Sequence, residues 1–297
     1  MRINVSHLTR RLTRQLLNVC DQDTRHAQRE LHWMLSHVAA TSKSSKTTES
    51  LTFHDAQRLT DMVKDRVEHH KPLQYILGSQ PFCDLDIVTR PPTLIPRWET
   101  EEWVYRLLEH LKQHHGKRRI LDLCTGSGCI ALALARHLPQ GTADIHAVDF
   151  SPSALSLARL NAELLTPQLA NAVNIEKMDV LNANDFKLGG ASFDLIVSNP
   201  PYVTHAEYAE LTPDVKEWED RAALVADNEG MAFHLHIANV IGKNNVLSNT
   251  HNWPRLVMEI GGTHQVSEIT KALHANGLSR VEVWKDLAGK DRAIAAG

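Results

Sequence analysis

The spacing of hydrophobic side chains separates a helical region at the start of the chain from a longer region in which strands and helices alternate. Up to about residue 70, apolar positions recur every three or four residues, as on one face of an α-helix. Two such stripes consist of Leu31, Met34, Leu35 and Val38, and of Leu59, Met62, Val63 and Val67. We expect a small helical bundle, with a polar loop at residues 41–50 and with Thr52 and Asp55 in capping-box spacing before the next helix.

The pattern changes after the bundle. Residues 82–88 alternate between apolar and polar positions and predict a short strand or hairpin. From Arg119 onward, apolar runs of strand length alternate with helical patterns, which favours a parallel α/β sheet. The predicted strands lie near residues 120–123, 145–148, 173–177, 193–198, 255–260, 280–284 and 293–296. The last two are joined by the short turn DLAGKDR, which cannot form a parallel crossover, so the sheet should end in an antiparallel hairpin.

These patterns divide the chain into three predicted regions. We expect an N-terminal helical domain at residues 1–78, a β-hairpin linker at residues 79–98 and an α/β domain at residues 99–297. With 297 residues, of which 42% are hydrophobic, the chain is long enough for one large domain and a small one. No apolar run approaches the roughly 18 residues of a membrane span, and no heptad repeat requires a dimer. We therefore expect a monomer that does not associate with membranes.

The N-terminus allows two interpretations. The first twenty residues contain four arginines and no acidic residue, a composition typical of a mitochondrial presequence. The spacing of Leu8, Leu12 and Leu16 also predicts a structural helix. The two interpretations are compatible, and both stay open at this point.

The net charge and the spacing of the cysteines argue against nucleic-acid binding and metal binding. The 32 basic and 35 acidic side chains give a net charge of -3, so no overall basic field attracts nucleic acid. Cys20, Cys83, Cys124 and Cys129 form no CxxC pair and lack zinc-site spacing. We expect reduced thiols and no bound metal.

A glycine-rich loop predicts a nucleotide site. In ILDLCTGSGCIALALA (residues 120–135) an apolar strand leads through Gly126 and Gly128 into a helix, whose first amide groups are free to bind a ligand. Asp149 follows the second strand, where a carboxylate can accept both hydroxyls of a ribose. Nicotinamide and flavin cofactors fit the same spacing, so the nucleotide stays open here. Asp179, after the third strand, fits either an adenine amino group or an ordinary turn.

The segment SNPPY (residues 198–202) indicates the chemistry. It follows an apolar strand, and its two prolines end the sheet and hold the chain extended. The side-chain oxygen of Asn199 and the Pro200 carbonyl offer two fixed acceptors for one planar NH2 group, on which the Tyr202 ring can pack. This suits methylation of a conjugated nitrogen, whose delocalised lone pair makes it a poor nucleophile. Placement in line with a sulfonium methyl can supply up to ~7 to 11 kcal/mol, and preset acceptors add to it.

Taken together, SNPPY, LDLCTGSG, AVDFS and TLIPRWETE (residues 93–101) resemble the HemK/PrmC family of protein-glutamine N5-methyltransferases. Members of this family modify the glutamine of the Gly-Gly-Gln motif in peptide-chain release factors. The resemblance extends through AQRELHWMLSHV, KPLQYILG, DRAALVADNEGM, VMEIGGTHQ and DLAGKDR, and so covers nearly the whole chain. It implies a Rossmann-like, seven-stranded class I methyltransferase fold that uses S-adenosylmethionine and no metal. It also implies that the small N-terminal helical domain recognises the release factor.

The resemblance assigns roles to individual residues. Cofactor contacts are implied for Cys124, Thr125, Gly126, Ser127, Gly128, Asp149, Asp179, Val180 and Asn199. Contacts with the acceptor glutamine are implied for Asn199, Pro200, Pro201 and Tyr202, of which Asn199, Pro200 and Tyr202 are the expected catalytic residues. Cys124 departs from the family pattern because it replaces the first glycine, and Trp98 departs because it replaces a proline. The helical domain points to the bacterial and organellar branch, which implies the mitochondrial matrix, with the cytoplasm as the alternative.

Three other functions fit parts of this sequence. An adenine-N6 DNA or RNA methyltransferase shares the tetrapeptide, but it needs a basic surface to hold a flipped base, which the charge balance does not supply. A module that only senses the cofactor has no use for an intact Asn199. A Rossmann oxidoreductase leaves the tetrapeptide without a purpose. The sequence therefore predicts methyl transfer to a release-factor glutamine, without direct binding of nucleic acid.

Overall fold

The structure, a computed structural model, describes residues 2–3, 5–42, 51–112, 116–182, 192–244, 246–248 and 253–297. The chain forms two units, one from residues 1–79 and 212–218 and the other from residues 80–211 and 219–297. Most of the polar loop predicted at residues 41–50 lies outside the described residues. No helix in these described ranges is long and apolar enough to cross a membrane.

The first unit is helical because its apolar stripes pack against one another. Its helices are α1 (Val5–Leu16), α2 (Thr24–Thr41), α3 (Phe53–Glu68), α4 (Leu73–Leu77) and, from much later in the chain, α9 (Pro213–Lys216). The two-residue strands β1 (Arg2–Ile3) and β2 (Leu51–Thr52) pair antiparallel. Leu8, Leu12 and Leu16 are buried in the same core as Met34 and Leu59. The structural helix predicted at the N-terminus is therefore confirmed.

The capping signal before α3 is also confirmed. The amide of Asp55 donates a hydrogen bond to Thr52 Oγ1 at 3.1 Å, and the Thr52 hydroxyl donates to Asp55 Oδ2 at 2.7 Å. This satisfies one of the amides that lack a partner at a helix N-terminus. The helix therefore begins where the sequence places it.

A buried ion pair links α2 to α3. Arg66 donates from Nε to Glu30 Oε2 at 3.1 Å and from Nη2 to Glu30 Oε1 at 3.2 Å, while its Nη1 lies 3.4 Å from Asp214 Oδ2. Only 4% of the Glu30 side chain is exposed. Cys20, His26 and Glu30 place one possible metal-ligand atom each within 4.8 Å of one another. Both Glu30 oxygens already accept from the guanidinium, so this cluster has a structural explanation.

The second unit is built on a seven-stranded sheet. Its strands are β5 (Arg118–Leu123), β6 (Ala143–Asp149), β7 (Ala172–Lys177), β8 (Leu195–Ser198), β9 (Leu256–Glu259), β10 (Val281–Lys285) and β11 (Asp291–Ala296). Their spatial order is β7-β6-β5-β8-β9-β11-β10. The first five are parallel, and β11 runs antiparallel to both of its neighbours. The predicted α/β sheet and its closing hairpin are confirmed.

Of the helices that the structure describes in this unit, five contribute residues to two hydrophobic clusters of the sheet, namely α5 (Trp98–Lys112), α6 (Cys129–His137), α7 (Pro152–Leu165), α11 (Ala232–Asn244) and α12 (Thr263–Ala275). The short helices α8 (His205–Glu210) and α10 (Arg221–Leu224) contribute to neither cluster. Ile120 packs in one cluster with residues of α5 and α6, whereas its neighbour Leu121 packs in another with residues of α11 and α12. Both faces of β5 are therefore buried, which explains its almost continuous apolar sequence.

A small two-stranded sheet precedes α5, as the alternation at residues 82–88 predicts. It consists of β3 (Ser79–Phe82) and β4 (Leu85–Val88). The buried side chain of Asn161 accepts from the Val88 amide at 2.9 Å and donates to the carbonyls of Val88 at 3.1 Å and Ser127 at 2.9 Å. One amide group of α7 thus joins β4 to the loop that follows β5.

The ion pair of the first unit gives a stability prediction. Arg66→Met leaves the Glu30 carboxylate buried without its partner, so we expect the free energy of unfolding to fall by about 3 kcal/mol. Chemical denaturation of the full chain measures this change. The matched control is Lys64→Met, which removes a pair that is more than half exposed on both sides and should cost less than about 1 kcal/mol. Equal effects of the two substitutions would contradict the prediction.

Candidate active site

The site lies where the chain changes direction within the sheet. The strands β5, β6 and β7 follow one another toward one edge of the sheet, and the chain then returns to place β8 and β9 on the other side of β5. Because these five strands are parallel, the loops that follow them emerge at the same end. A crevice forms at such a reversal, outside the carboxyl ends of the strands. The glycine loop follows β5, and the SNPPY segment follows β8.

The glycine loop has a tightly turned backbone. Cys124, Gly126 and Gly128 have φ angles of 58°, 56° and 85°. Cys124 thus adopts the left-handed conformation expected of the glycine that it replaces, at a cost of about 1 to 2 kcal/mol. The loop is held by hydrogen bonds from the Thr125 amide to the Val148 carbonyl at 3.0 Å and from the Gly128 amide to the Thr125 carbonyl at 2.8 Å. The non-glycine residue therefore does not prevent the turn.

A buried carboxylate supports this loop from within the protein. Asp122 is fully buried, and its Oδ2 accepts from the Thr125 hydroxyl at 2.6 Å and from the Ala131 amide at 3.2 Å. Burial raises the pKa of Asp122 to about 7, although these two donors oppose the rise. The Thr125 side chain is therefore directed into the protein, where it fixes the loop to the start of α6.

Asp149 ends β6 and fixes the far side of the loop. Its Oδ2 accepts from the Gly126 amide and its Oδ1 accepts from the Ser151 amide, both at 2.9 Å. Burial raises the pKa of Asp149, while the backbone donors Ser151, Gly126 and Phe150 act in the opposite direction. Each carboxylate oxygen can accept a second hydrogen bond. Asp149 can therefore hold the loop and a ligand at the same time.

A cavity of about 270 Å³ lies at this end of the sheet. Seven of the predicted site residues line it, namely Cys124, Gly126, Asp149, Asp179, Val180, Asn199 and Pro201. Five predicted residues do not line it, namely Thr125, Ser127, Gly128, Pro200 and Tyr202. Thr125 and Ser127 are buried, with 3% and 2% of their surface exposed. The structure thus brings the segments that follow the first four strands of the predicted sheet together around one cavity.

The lining of the cavity is acidic and apolar. Asp149, Asp179 and Asp220 contribute carboxylates, and Phe150 and Leu181 contribute large apolar side chains that are 62% and 47% exposed. Among the described residues that line it, none is a lysine or an arginine. Such a cavity favours a ligand with positive charge and a flat apolar group, and it disfavours a pyrophosphate.

Asn199 presents its amide at the end of β8. Its Nδ2 donates to the Thr100 hydroxyl at 3.2 Å, and its Oδ1 accepts no hydrogen bond from any residue that the structure describes. Behind it, the amides of Tyr202 and Val203 both donate to the Leu224 carbonyl, at 3.1 and 2.8 Å. The segment after Asn199 is thus fixed by backbone hydrogen bonds, and the amide oxygen is left available as an acceptor.

A second buried carboxylate, Glu259, lies behind the SNPPY segment. It is fully buried at the end of β9 and accepts three hydrogen bonds: from the Thr100 hydroxyl at 2.6 Å, from Trp103 Nε1 at 2.8 Å and from the Tyr202 hydroxyl at 3.1 Å. Burial raises the pKa of Glu259, while these donors and the charge of Arg292 act in the opposite direction. Burial also raises the pKa of Tyr202, so its hydroxyl stays protonated. Neither Glu259 nor Thr100 is among the site residues that the sequence predicts.

Two more side chains fix the backbone around Glu259. His234 is fully buried, and its Nε2 lies 2.7 Å from the Glu259 carbonyl oxygen. Burial lowers the pKa of His234 to about 4, so the ring is neutral at pH 7. Because a carbonyl oxygen only accepts, Nε2 carries the proton and is the donor. Gln265 donates to the carbonyls of Tyr202 and Glu229, at 2.9 and 3.0 Å. Residues of α11 and α12 thus support the SNPPY segment from the side opposite to α5.

One signal in the sequence points to Glu259. It ends an apolar strand that lies beside β8, so its position at the carboxyl end of the sheet resembles that of Asp149 and Asn199. Thr100 and Trp103 carry no such signal, because the register between α5 and the sheet is set by packing between segments more than 150 residues apart.

Comparison with known proteins places this geometry in a family. A family model described as the methyltransferase small domain matches residues 105–216. Among solved structures, the catalytic domain of human Mettl16 has a TM-score of 0.51 and 17% sequence identity, and the match covers 83% of this chain and 82% of that chain. At this identity the likeness concerns the fold alone. The predicted class I methyltransferase fold is confirmed.

Curated relatives are more similar in sequence. The release factor glutamine methyltransferase of Bacteroides thetaiotaomicron is 36% identical over 241 residues, which cover 81% of each chain. A Schizosaccharomyces pombe protein named "Probable MRF1 mitochondrial N(5)-glutamine methyltransferase mtq1" is 36% identical over 231 residues, which cover 75% of this chain and 74% of the relative. With this level of identity over three quarters of its length or more, and with the glycine loop, Asp149 and Asn199 arranged around one cavity, the chain belongs to the family of release factor glutamine methyltransferases.

Proposed function

We propose that this protein transfers a methyl group from S-adenosylmethionine to the side-chain amide nitrogen of the glutamine in the Gly-Gly-Gln motif of a peptide-chain release factor, and so supports translation termination. The observation that carries the proposal is the Oδ1 of Asn199, which accepts from none of the described residues and lies at a cavity that Asp149 and the glycine loop also line. The names of the curated relatives support the choice of substrate.

The cavity suits the cofactor in charge and shape. S-adenosylmethionine, when bound, supplies a methyl group on a positively charged sulfur. Asp149 holds the ribose, because each of its oxygens keeps a lone pair after bonding the loop. Asp179 and Val180 hold the adenine, and the backbone from Cys124 to Gly128 lies against the remainder of the cofactor. The acidic lining attracts the positively charged cofactor. The same negative charges repel the pyrophosphate of a nicotinamide or flavin dinucleotide, which therefore fits less well.

Asn199 and Pro200 hold the acceptor amide. The Asn199 Oδ1 and the Pro200 carbonyl accept the two hydrogens of the glutamine NH2 group, which keeps the nitrogen beside the methyl donor. Accepting these hydrogens also stabilises the positive charge that develops on nitrogen during transfer. Tyr202, whose hydroxyl is fixed by Glu259, packs its ring along this group. No side chain needs to act as a general base, because the proton can leave after the displacement.

The remaining assignments extend the same proposal. The N-terminal helical domain recognises the release factor, and the protein acts as a monomer without a metal, outside membranes and without direct binding of nucleic acid. The arginine-rich N-terminus and the mitochondrial name of the yeast relative support the mitochondrial matrix as the location. An adenine-N6 methyltransferase is the alternative, because an adenine amino group presents the same planar nitrogen.

A labelling experiment tests the proposed substrate. The purified chain is incubated with S-adenosylmethionine labelled in the methyl group and, in parallel, with a mitochondrial-type release factor, with the same factor carrying Gln→Ala in its Gly-Gly-Gln motif, and with duplex DNA. We expect label in the unchanged release factor alone, because only it offers the amide nitrogen. Label in the DNA, or equal label in both release factors, would contradict the proposal.

A second experiment tests the role of Asp149. Asp149→Ala removes the carboxylate that accepts the ribose hydroxyls, so we expect the Kd for S-adenosylhomocysteine to rise at least about tenfold, or about 1.4 kcal/mol. Isothermal titration calorimetry measures it. The matched control is Asp144→Ala in the same strand, whose side chain is 55% exposed and outside the cavity lining. Binding by Asp149→Ala within twofold of the parent would remove the assignment.

A third experiment separates acceptor binding from cofactor binding. Asn199→Ala deletes the amide oxygen, and loss of one such preset group typically lowers kcat by about 100-fold or more. The affinity for S-adenosylhomocysteine should change by less than about threefold, because the ribose and adenine contacts remain. The exposed Asn174 serves as the control position. Near-normal turnover by Asn199→Ala would show that another group orients the acceptor.

A further inference from the structure

We propose that Thr100 and Glu259 are positioning residues that fix which end of the Asn199 amide faces the substrate, and that they thereby make the site select glutamine over glutamate. This inference rests on the proposed function. Asn199 is the residue that touches the acceptor, whereas Thr100 and Glu259 act through it.

Glu259 can only accept hydrogen bonds when it is ionised. The indole of Trp103 only donates one. Trp103 Nε1 lies 2.8 Å from Glu259 Oε2, the same oxygen to which the Thr100 hydroxyl lies at 2.6 Å. The guanidinium charge of Arg292 and the Tyr202 hydroxyl at Oε1 also favour a carboxylate that accepts. The single hydroxyl proton of Thr100 is therefore committed to Glu259.

The hydrogen bond from Thr100 to Glu259 determines the direction of the hydrogen bond between Thr100 and Asn199. With its proton given to Glu259, the Thr100 oxygen can only accept, and the atom of Asn199 that lies 3.2 Å away must be a donor. The NH2 end of the Asn199 amide is therefore held toward Thr100, and the oxygen end is the one available to the cavity. The reverse orientation would place two oxygens against each other with no proton between them, in a place where Thr100 is buried from water.

The orientation of this amide decides between two nearly identical substrates. An exposed Asn199 oxygen accepts from the NH2 group of a glutamine, but it faces only oxygens in a glutamate, which has no hydrogen to give. A reversed Asn199 would instead present a donor and favour the glutamate carboxylate. A site that bonds a particular donor rejects an analogue that lacks it much more strongly than a site that only fits its shape. The buried carboxylate of Glu259 therefore orients the Thr100 hydroxyl, Thr100 orients the Asn199 amide, and the orientation of that amide selects glutamine over glutamate.

The test compares variants that remove or keep the Thr100 hydroxyl with one that replaces a Glu259 oxygen by a hydrogen-bond donor. Thr100→Val keeps the side-chain shape and removes the hydroxyl, Thr100→Ser keeps the hydroxyl, and Glu259→Gln introduces an NH2 donor that frees the Thr100 proton. Each variant is titrated, in the presence of S-adenosylhomocysteine, with a release factor carrying Gly-Gly-Gln and with the same factor carrying Gly-Gly-Glu. Turnover on the first factor and the Kd for S-adenosylhomocysteine are measured alongside.

We expect the ratio of the two release-factor affinities to fall about tenfold in Thr100→Val and Glu259→Gln and to stay within about twofold of the parent in Thr100→Ser. Turnover should fall with the ratio, while the Kd for S-adenosylhomocysteine stays nearly constant. Thr100→Ala is a second variant without the hydroxyl, in case Thr100→Val fails to fold. Unchanged discrimination in both hydroxyl-free variants would overturn the inference. A parent chain that does not methylate the Gly-Gly-Gln factor would instead overturn the proposed function.

Discussion

The parallel pairing of β5 with β8 is the constraint on which the site depends. Its register sets Leu123 opposite Ser198, and the Ser198 hydroxyl adds a hydrogen bond to the Leu123 carbonyl at 2.9 Å. The next residue of each strand is Cys124, which begins the glycine loop, and Asn199, which begins the acceptor segment. A slip of one residue would turn every side chain of β8 to the other face of the sheet. The glycine loop and Asn199, to which we assign cofactor and acceptor binding, are therefore neighbours because of this strand register.

Two fully buried carboxylates and one partly buried carboxylate fix the parts that this pairing brings together. Asp122 ties the glycine loop to α6, Asp149 ties the same loop to α7, and Glu259 joins α5 to the acceptor segment. Burial raises the pKa of each of the three, so each opposes folding when it is ionised. In return, an ionised carboxylate accepts several donors at once and sets the direction of every one of these bonds. These three carboxylates thus lower the free energy of unfolding when they are ionised, but they hold the surrounding polar groups in one arrangement.

The sequence predicts those features that depend on local pattern. Strands buried on both faces are visible as apolar runs, and residues such as Asp149 and Asn199 are visible because they end such runs. The role of Thr100 is not predictable in this way, because its partner Glu259 lies 159 positions away. The inclusion of residues 212–218 in the first unit is hidden for the same reason. Thr125 belongs to the expected loop, but its hydroxyl is taken by Asp122, a competition that spacing alone does not reveal.

The cysteine in the glycine loop has a further chemical consequence. Cys124 lines the cavity proposed to hold the cofactor, whose sulfur carries the methyl group. A thiolate at this position would compete with the acceptor nitrogen as a nucleophile for that methyl group. Burial raises the pKa of Cys124 well above its ordinary value, and the negative charges of Asp149 and Asp122 raise it further. At neutral pH the group is therefore a neutral thiol, which attacks carbon poorly. Burial, with a smaller contribution from the acidic surroundings, thus keeps the cysteine of the glycine loop from competing with the proposed acceptor for the methyl group.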